Sequence, residues 1–472
     1  MPAIELNIGH LPSPRRARVD GDDDAPFRVV VLGDFSGRPR ERRQALAERQ
    51  SVRIDIDNFE SVFARIAPFA EIAGLQDEAG LALRIGLEAM DDFSADAVLA
   101  RLPARTSAHA SASPAPVSDA GAEDAAAMMK RLLGGELPAG APALAAAPAK
   151  AKAKADEAVD RFVRQLVGEH IVPAAPAPAP GDNDVAAALL RHVLGDPTWR
   201  HLESAWRAVD RFVRELDMAD GQVRLELFDC RADELLADLG ASSGDSSRAA
   251  LASVLKGDGR GCDIVVSLEE FGPSLVELSL LGGLASVAAA QGAVLLAGAA
   301  PALAAVAGNH DAQVLASNES RVWRALRESA LAPRIGLTFP RLLARLPYGP
   351  RNDPVSAFAF DELADASATS LHDRLVWRSA ALDAALLLAQ GHVDGGVETR
   401  LQLDDLPAFI DRSGDEPRLQ AVAEAYLGER EVNVLQAAGF ITLQSDRRLP
   451  NARVSGWQSV AAGGGELAGS WR

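Results

Sequence analysis

The stretch from Asp196 to Leu216 constrains the fold of this 472-residue chain more than any other feature. Asp196 is placed to cap a helix, and Pro197 follows at the first helical position, where its missing N–H costs nothing. Apolar residues then recur every three or four positions, namely Trp199, Leu202, Trp206, Val209, Phe212, Val213 and Leu216. This spacing predicts an amphipathic helix whose aromatic stripe packs on a large apolar surface. The alternating segment 223–228 predicts a half-buried strand that supplies part of that surface.

Strands and helices alternate along the remainder of the C-terminal half. Beyond 223–228, short apolar runs predict strands at 263–267, 293–297, 334–338 and 440–443. Longer periodic segments predict helices at 232–239, 274–291, 321–329, 340–346, 372–390 and 429–438. This alternation predicts an α/β fold with mostly parallel strands, in which mixed sheets are flanked by helices.

Shifts in composition divide the chain into five predicted segments. Residues 27–105 form a small unit with strands at 27–32, 52–57 and 81–87, a helix at 59–66 and a second short helix capped by Ser94. Residues 184–445 form the larger α/β unit. Between them, residues 106–183 are an Ala- and Pro-rich linker with short helices. The predicted ends are an arm, 1–26, and a glycine-rich tail, 446–472. The last residues of the tail, 463–472, are expected to dock loosely through Trp471.

The arm contains an alternating segment in which Ile4, Leu6 and Ile8 share one face of a predicted strand. A polar, turn-rich stretch from Pro12 to Asp24 follows it. A strand on such a tether is free to add to a sheet edge elsewhere, including one on another subunit. The pattern fits an edge strand of its own domain equally well, and the residues leave both interpretations open.

Charge and composition exclude several classes of partner. The net charge of −18 argues against nucleic acid and against anionic membrane surfaces. Two cysteines are too few for a disulfide framework and fit a reducing compartment. We expect no signal peptide. The apolar tract 287–308 is mostly alanine, with helix breakers at Gly292, Gly298 and Pro301, so we expect no membrane span. These features predict a cytoplasmic protein.

The sequence offers few candidates for catalysis. Residues 240–244 match the GxSxG pattern around Ser242, but a nucleophile elbow needs a strand before the serine, and a helix is predicted there. We therefore predict a solvated loop and keep a serine hydrolase as a minor alternative. His310 lies beside Asp311 without a third ligand at a suitable spacing. The glycine-rich turns are not phosphate loops. We predict no enzyme activity, no metal and no cofactor.

Several longer motifs occur together in this chain, at 27–38, 54–59, 90–94, 196–207 and 339–349. Together they resemble one known family, the contractile sheath of type VI secretion systems. The run 27–38, FRVVVLGDFSGR, with segments 54–59 and 90–94, is similar to the small sheath subunit; its motif residues include Gly33, Asp34, Phe35, Asp57 and Phe59. The runs 196–207 and 339–349, with 353–355 and 358–361, are similar to the large subunit; their motif residues include Trp199, Trp206, Arg345, Pro347, Tyr348 and Gly349.

The resemblance implies that one chain joins the small and the large sheath subunits. In that family the subunits form a cytoplasmic helical tube around an inner tube. The sheath assembles in an extended, high-energy form and shortens to drive the inner tube outward. The implied partners are the chain itself, other sheath subunits, the inner tube protein, the baseplate and a AAA+ disassembly ATPase. Strands shared between neighbouring subunits would give Ile4, Leu6 and Ile8 a role in assembly.

The sequence departs from the family pattern after Ser445. The large subunit normally continues there with strands that face the inner tube, whereas about 27 loop-like and glycine-rich residues follow here. If those strands contribute to the mesh between subunits, the chain is expected to assemble differently, or to serve as a cap or a non-polymerising adaptor. The sheath component and this adaptor are the two competing interpretations.

Overall fold

The computed structural model describes most of the chain, namely residues 25–76, 80–102, 182–242, 246–308, 318–364, 371–395, 400–411, 418–420 and 422–469. We call the described residues of 25–102 the N-terminal module and those of 182–469 the C-terminal module. The arm residues Ile4, Leu6 and Ile8 lie outside the described residues. So do nearly all of the predicted linker, the pair at His310 and the proposed anchor Trp471.

The N-terminal module contains four strands and two helices. Its strands are β1 (Phe27–Gly33), β2 (Val52–Ile54), β3 (Phe69–Gln76) and β4 (Ala82–Gly86), and its helices are α1 (Phe59–Ile66) and α2 (Ala95–Arg101). The strands predicted at 27–32, 52–57 and 81–87 and the helix predicted at 59–66 are confirmed, with small changes at the strand ends. Strand β3 was not predicted.

The C-terminal module alternates helices and strands through its first half. In chain order these are α3 (Asp182–Gly195), α4 (Pro197–Glu215), β5 (Val223–Asp229), α5 (Ala232–Ala241), α6 (Ala250–Lys256), β6 (Ile264–Phe271), α7 (Leu275–Ala290), β7 (Val294–Ala299), α8 (Pro301–Gly308), α9 (Asn318–Glu328) and β8 (Ile335–Phe339). Helix α4 begins as predicted, because the Asp196 carboxylate accepts hydrogen bonds from the N–H groups of Thr198 and Trp199.

The second half of the C-terminal module is built from shorter elements. In chain order these are β9 (Leu342–Leu343), α10 (Leu371–Arg374), β10 (Trp377–Arg378), α11 (Ala381–Val393), β11 (Gln402–Leu403), β12 (Ile410–Asp411), β13 (Arg418–Leu419), α12 (Glu429–Ala437), β14 (Phe440–Ser445), β15 (Ala452–Val454), β16 (Gln458–Ser459) and β17 (Gly465–Glu466). The predicted mixed α/β class, with sheets flanked by helices, is confirmed.

Strands of both modules form one nine-stranded sheet, in the order β11-β15-β14-β8-β7-β6-β1-β5-β2. The inner strands from β14 to β5 run parallel, as predicted, while β2, β15 and β11 add antiparallel. Strand β1 of the N-terminal module lies between β5 and β6 of the C-terminal module. The boundaries between the predicted segments remain a prediction, but their strands share one sheet.

The sheet has an apolar core on each face. On one face α4 and α11 pack together with the aromatic residues of the N-terminal module, and this core includes Val29, Phe63 and Trp206. On the other face α5, α6, α7, α9 and α12 cover the alternate residues of the same strands, such as Val30 and Leu32. Burial on both faces explains why residues 29–32 of β1, 264–266 of β6 and the whole of β7 are continuous apolar runs.

Two predicted helices are wrong. The segment 340–346 contains strand β9, which pairs antiparallel with β10. Its backbone makes two further bonds to distant segments, from Leu343 N to Val422 O and from Ala344 N to Val376 O. The helix predicted at 372–390 is interrupted: α10 ends at Arg374, and α11 begins at Ala381. Tertiary pairing of the extended backbone between them overrides the helical spacing of the apolar residues.

The segment predicted as a glycine-rich tail, 446–472, contains three strands within its described residues, 446–469. Strand β15 extends the main sheet, and β16 and β17 form a hairpin against it. Trp457, Val460 and Leu467 are buried in the core. Gly463 and Gly464 lie in the turn between β16 and β17. Strand β14 was predicted to be the last strand, but β15, β16 and β17 follow it.

Candidate functional site: the contact between the two modules

The family-type motifs of the sequence converge on one region, the contact between the N-terminal and C-terminal modules. Strand β1 begins this contact by pairing with β5 along its whole length, from Phe27 opposite Val223 to Gly33 opposite Asp229. Within the pairing, Arg28 forms a buried bidentate ion pair with Glu226, at 2.9 and 2.8 Å. The Arg28 guanidinium also donates to three backbone carbonyls, so this buried charge is fully hydrogen-bonded.

The loop after β1, residues 33–37, is held by a carboxylate of the C-terminal module. Asp229 accepts hydrogen bonds from Phe35 N at 2.9 Å, Ser36 N at 3.1 Å and Ser36 Oγ at 2.7 Å. Asp34 accepts from Gly37 N at 2.8 Å and pairs with Arg43 of its own module, and it also accepts from Arg231 of the C-terminal module at 3.4 Å. Because β1 and β5 end together, Asp229 lies at the position where it can bind this turn.

Gly37 permits the tight turn of this loop, and we expect its replacement by alanine to be strongly destabilising. Its φ of +65° disfavours a side chain, and a Cβ would overlap Phe69 O and lie 2.9 Å from Leu202 Cδ1. We expect Gly37→Ala to lower the free energy of unfolding by more than about 2 kcal/mol, measured by urea denaturation. Gly221→Ala is the matched control: its φ is +75°, but a Cβ there meets no atom within 4 Å. Equal effects of the two substitutions would contradict the steric argument.

The two tryptophans of α4 supply the apolar part of the contact. Both side chains are fully buried. The Trp206 ring lies against Phe35, Phe59 and Phe63, with centroid distances of 5.6, 5.9 and 4.5 Å. Its Nε1–H donates to Phe35 O at 2.9 Å. Trp199 packs edge-on to Phe93 at 5.4 Å. The aromatic stripe predicted for this helix therefore packs mainly on the N-terminal module.

The start of α4 contacts the N-terminal module through its cap. While Asp196 Oδ1 caps the helix, Oδ2 accepts a hydrogen bond from Ala73 N of β3 at 3.0 Å. His192 Nε2 lies 2.6 Å from Ala73 O. One capping carboxylate thus fixes both the helix start and the edge of the β3–β4 hairpin.

Arg345 is the centre of a buried charge network in the C-terminal module. Its guanidinium binds Glu203 of α4 at 2.7 Å and both oxygens of Glu362, at 2.7 and 2.9 Å. All three side chains are buried. Burial alone lowers the pKa of Arg345, but the charges of Glu203 and Glu362 outweigh it and hold the pKa well above its usual value. For Glu203, burial raises the pKa, and the charges of Arg345 and Arg207 more than reverse the effect, leaving it lowered.

The motif that contains Arg345 reaches back to the N-terminal module. Tyr348 is buried, its N–H donates to Glu362 at 2.8 Å, and its hydroxyl donates to Phe93 O at 3.1 Å. The nearby Ser356 donates from N and Oγ to the Asp96 carboxylate of α2, at 2.9–3.1 Å. The segment 345–362 therefore joins α4 to the end of the N-terminal module.

All but one of the motif residues predicted from the family resemblance are buried. Gly33, Asp34, Phe35, Phe59, Pro347 and Gly349 are all buried, as are Trp199, Trp206, Arg345 and Tyr348. Asp57 is exposed, in the turn before α1. Sequence reasoning missed Asp229, Glu203 and Glu362; in the sequence, Glu203 is simply one of the polar residues between the apolar positions of α4.

A cleft of about 440 Å³ opens beside this contact, at the carboxyl end of β6. Arg341 binds the Glu424 carboxylate and lies 3.4 Å from Glu270 Oε2, while Glu270 Oε1 is buried without a hydrogen-bond partner. Burial raises the pKa of Glu270 to about 7, against the opposing charge of Arg341. Folding therefore places this carboxylate in an unfavourable environment.

We expect Glu270→Gln to stabilise the protein at pH 8. A carboxyl group whose pKa is higher in the folded than in the unfolded state destabilises the fold when ionised. This penalty is present above pH 7 and disappears as the pH falls towards the ordinary value near 4.3. The gain should reach about 3–4 kcal/mol at pH 8, fall to about 1 kcal/mol at pH 5 and vanish below about pH 4, measured by urea denaturation. Glu269→Gln is the control, and a gain that is the same at pH 8 and pH 5 would contradict the assignment.

The described surroundings of Ser242 do not have the geometry of the nucleophile elbow that the serine-hydrolase alternative requires. Ser242 follows helix α5 rather than a strand, and its buried hydroxyl donates to Leu239 O at 2.7 Å, as at an ordinary helix end. Within the described ranges, no group of three or more potential ligand residues is arranged to hold a metal ion. In the same part of the chain, every helix is too short or too polar to cross a membrane.

Comparison with known proteins identifies the two modules. Residues 182–461 match the VipB family model, the EvpB tail sheath N-terminal domain, over more than half of the chain. Residues 18–107 match the VipA family model of the type VI secretion system. The chain belongs to the type VI secretion sheath family. The prediction that it joins a small and a large sheath subunit in one polypeptide is confirmed.

Two sheath proteins of Pseudomonas aeruginosa PAO1 show the same division. The type VI secretion system sheath protein TssC1 is 28% identical over 286 residues, which cover 56% of this chain and 56% of that protein. The sheath protein TssB1 is 40% identical over 76 residues, which cover 16% of this chain and 44% of that protein. The chain thus spans about half the length of each of these relatives. The contact described above is the contact between the small-subunit-like and large-subunit-like modules.

Proposed function

We propose that this protein is a structural subunit of a contractile type VI secretion sheath, which self-associates around an inner tube to power secretion. The observation that carries the proposal is the shared sheet: β1 of the VipA-like module lies between two strands of the VipB-like module. The two sheath modules thus fold together around one sheet within a single chain, and a repeating unit of that kind is suited to building a tube.

The proposal assigns the chain no catalytic role. In the described part of the module contact, the buried Arg345 binds Glu203 and Glu362, and the half-buried Asp229 holds the loop after β1, so these groups have structural partners. Its partners would be copies of itself and other sheath subunits, the inner tube protein, the baseplate and a AAA+ ATPase that disassembles the spent sheath. The proposed location is the cytoplasm, with no nucleic acid and no membrane insertion.

The arm carrying Ile4, Leu6 and Ile8 has a defined part in this proposal. An alternating strand on a polar tether can pair with a sheet edge of a neighbouring subunit and link copies without altering either core. The remaining motif residues have a different role, which is to hold the two modules in one fixed arrangement so that neighbouring copies meet with the same geometry.

Negative-stain electron microscopy of the purified chain, alone and with the inner tube protein, tests the proposal. We expect long tubes from the full chain and none from a variant lacking residues 2–8, with the circular dichroism spectrum unchanged. Tubes from the truncated variant would remove the arm from the mechanism. A full chain that stays monomeric at high concentration, yet binds other sheath subunits, would overturn self-association and favour the adaptor.

A further inference from the structure

The β3–β4 hairpin of the N-terminal module is a separate two-stranded antiparallel sheet, with Ile72 opposite Leu83 and Glu71 opposite Arg84. On its inner face Leu83 and Ile85 are buried in the core, whereas the alternate residues of β4 are exposed. Isolated pairs of strands are marginally stable in water, so the two edges of this hairpin matter.

The outer edge of β3 is occupied at both ends. Phe69 N donates to Ser36 O at 3.1 Å, and the backbone of Ala73 is bound on both sides, by Asp196 at N and by His192 at O. The capping residue of α4 and the loop after β1 therefore close this side of the hairpin.

The outer edge of β4 is open. Leu87 N donates to Pro68 O, which makes 70/85 and 72/83 the hydrogen-bonded pairs of the hairpin. The N–H and C=O groups of Arg84 and Gly86 consequently point away from β3. Among the described residues no backbone group bonds to them, and a Cβ built on Gly86 would meet no atom within 4 Å. An open edge of this kind accepts an added strand.

We propose that the edge of β4 binds residues 4–8 of a second copy of this chain as a third strand. The inference rests on the proposed self-association and names the surface that receives the arm. The alternation matches: with Ile4, Leu6 and Ile8 on the face of Leu83 and Ile85, the arm extends the buried apolar face of the hairpin.

Charge on the opposite face favours the same pairing. The Arg84 guanidinium lies 3.4 Å from the centroid of the Phe69 ring, on the exposed side of the hairpin. In the added strand Glu5 and Asn7 would lie on this side, within cross-strand reach of Arg84. Glu5 would supply an acidic partner to Arg84, for which the described ranges contain no ion pair.

The length of the tether is sufficient for exchange between copies. Eighteen residues, 9–26, separate the arm from the start of β1, and an extended chain of that length spans up to about 60 Å. The tether joins β1 at Phe27, whereas the hairpin lies at the other end of β1, where Ser36 O binds Phe69. The tether is therefore attached at the opposite end of β1 from the hairpin of its own chain, and its length allows the arm to reach the hairpin of a neighbour.

Disulfide trapping between copies that carry different introduced cysteines tests the inference. Two full-length variants, Glu5→Cys and Arg84→Cys, are co-expressed, purified and oxidised, and the products are separated on a denaturing gel without reductant. Side chains opposite one another on adjacent strands lie close enough for a disulfide. Asn7→Cys replaces Glu5→Cys in a second pair, because the strand direction is not specified. Leu6→Cys with Arg84→Cys is the matched control, since Leu6 would face the core. The native Cys230 and Cys262 are buried. The wild-type chain, oxidised in the same way, shows how much covalent dimer they form.

We expect a covalent dimer from Arg84→Cys with Glu5→Cys or Asn7→Cys, several-fold above the Leu6→Cys control. No dimer above that control in either pair would overturn docking at β4. A double variant that cross-links only within its own chain would overturn exchange between copies. If the wild-type chain forms tubes and no cross-link appears, the proposed function stands and this inference fails alone.

Discussion

Replacing Arg345 with methionine is expected to lower the free energy of unfolding by about 3–5 kcal/mol, because it leaves two buried carboxylates without their shared cation. Glu203 and Glu362 both lie within 3 Å of the Arg345 guanidinium, and neither is accessible to solvent. Methionine occupies a similar volume, so the decrease in the free energy of unfolding would come from the missing charge rather than from a cavity. Urea denaturation at pH 7 measures this change in the free energy of unfolding.

The pH dependence of this variant distinguishes lost charge from lost packing. In the wild-type protein the lowered pKa of Glu203 contributes stability above about pH 4.3, which is lost as the pH falls through the folded-state value. Without Arg345 the buried Glu203 carboxylate loses the largest of the charges that stabilise its ionised form, so Arg345→Met should regain stability as the pH is lowered from 7 towards 5. Arg214→Met is the control: this exposed arginine pairs with Asp210 along α4, and its loss should change stability by less than about 0.5 kcal/mol. A large deficit that is unchanged at pH 5 would contradict the electrostatic account.

Replacing Trp206 with alanine is expected to separate the two modules as well as destabilise the fold. The substitution removes a fully buried indole that contacts three aromatic rings of the N-terminal module, and such losses amount to about 3–5 kcal/mol. To measure separation, a protease site is inserted between residues 103 and 181 and cut. We expect the two pieces of the otherwise wild-type chain to elute together on size exclusion and those of Trp206→Ala to elute apart.

Two controls show what the separation depends on. Trp206→Phe keeps an aromatic ring but loses the hydrogen bond to Phe35 O, so we expect a smaller loss of stability and an intact complex after cutting. Leu449→Ala removes an exposed side chain and should have no effect on either measurement. If the pieces of Trp206→Ala remain associated, the pairing of β1 with β5 and β6 holds the modules without the aromatic cluster.

Local patterns in the sequence were sufficient for elements with strong periodicity and clear ends. Helix α4 begins at Pro197 after the Asp196 cap, and helix α1 has the predicted bounds, Phe59–Ile66. Strand β3 was missed because Ala73 and Gly74 interrupt its alternation. The short strands β9 and β10 are extended through contacts with distant residues, and no local pattern carries that information.

The contact between the modules could be located by its motifs but not explained by them. Arg345 binds Glu203, 142 positions earlier in the chain, and Asp229 binds a loop nearly 200 positions before it. Glu203 occupies a position that periodicity alone assigns to solvent, yet it is fully buried because Arg345 covers it. Partners so far apart in sequence become evident only from the folded chain.

The central place of β1 has a consequence for biosynthesis. Phe27 pairs with Val223, 196 residues later, and β1 acquires its second neighbour only when β6 has been made. At ribosomal rates of about 5–20 residues per second, β1 waits roughly 10–40 seconds for its first partner strand. During that interval an apolar strand with two unpaired edges is exposed in the nascent polypeptide. We therefore expect the yield of native protein to depend on chaperones that shield the first hundred residues until the sheet can close around them.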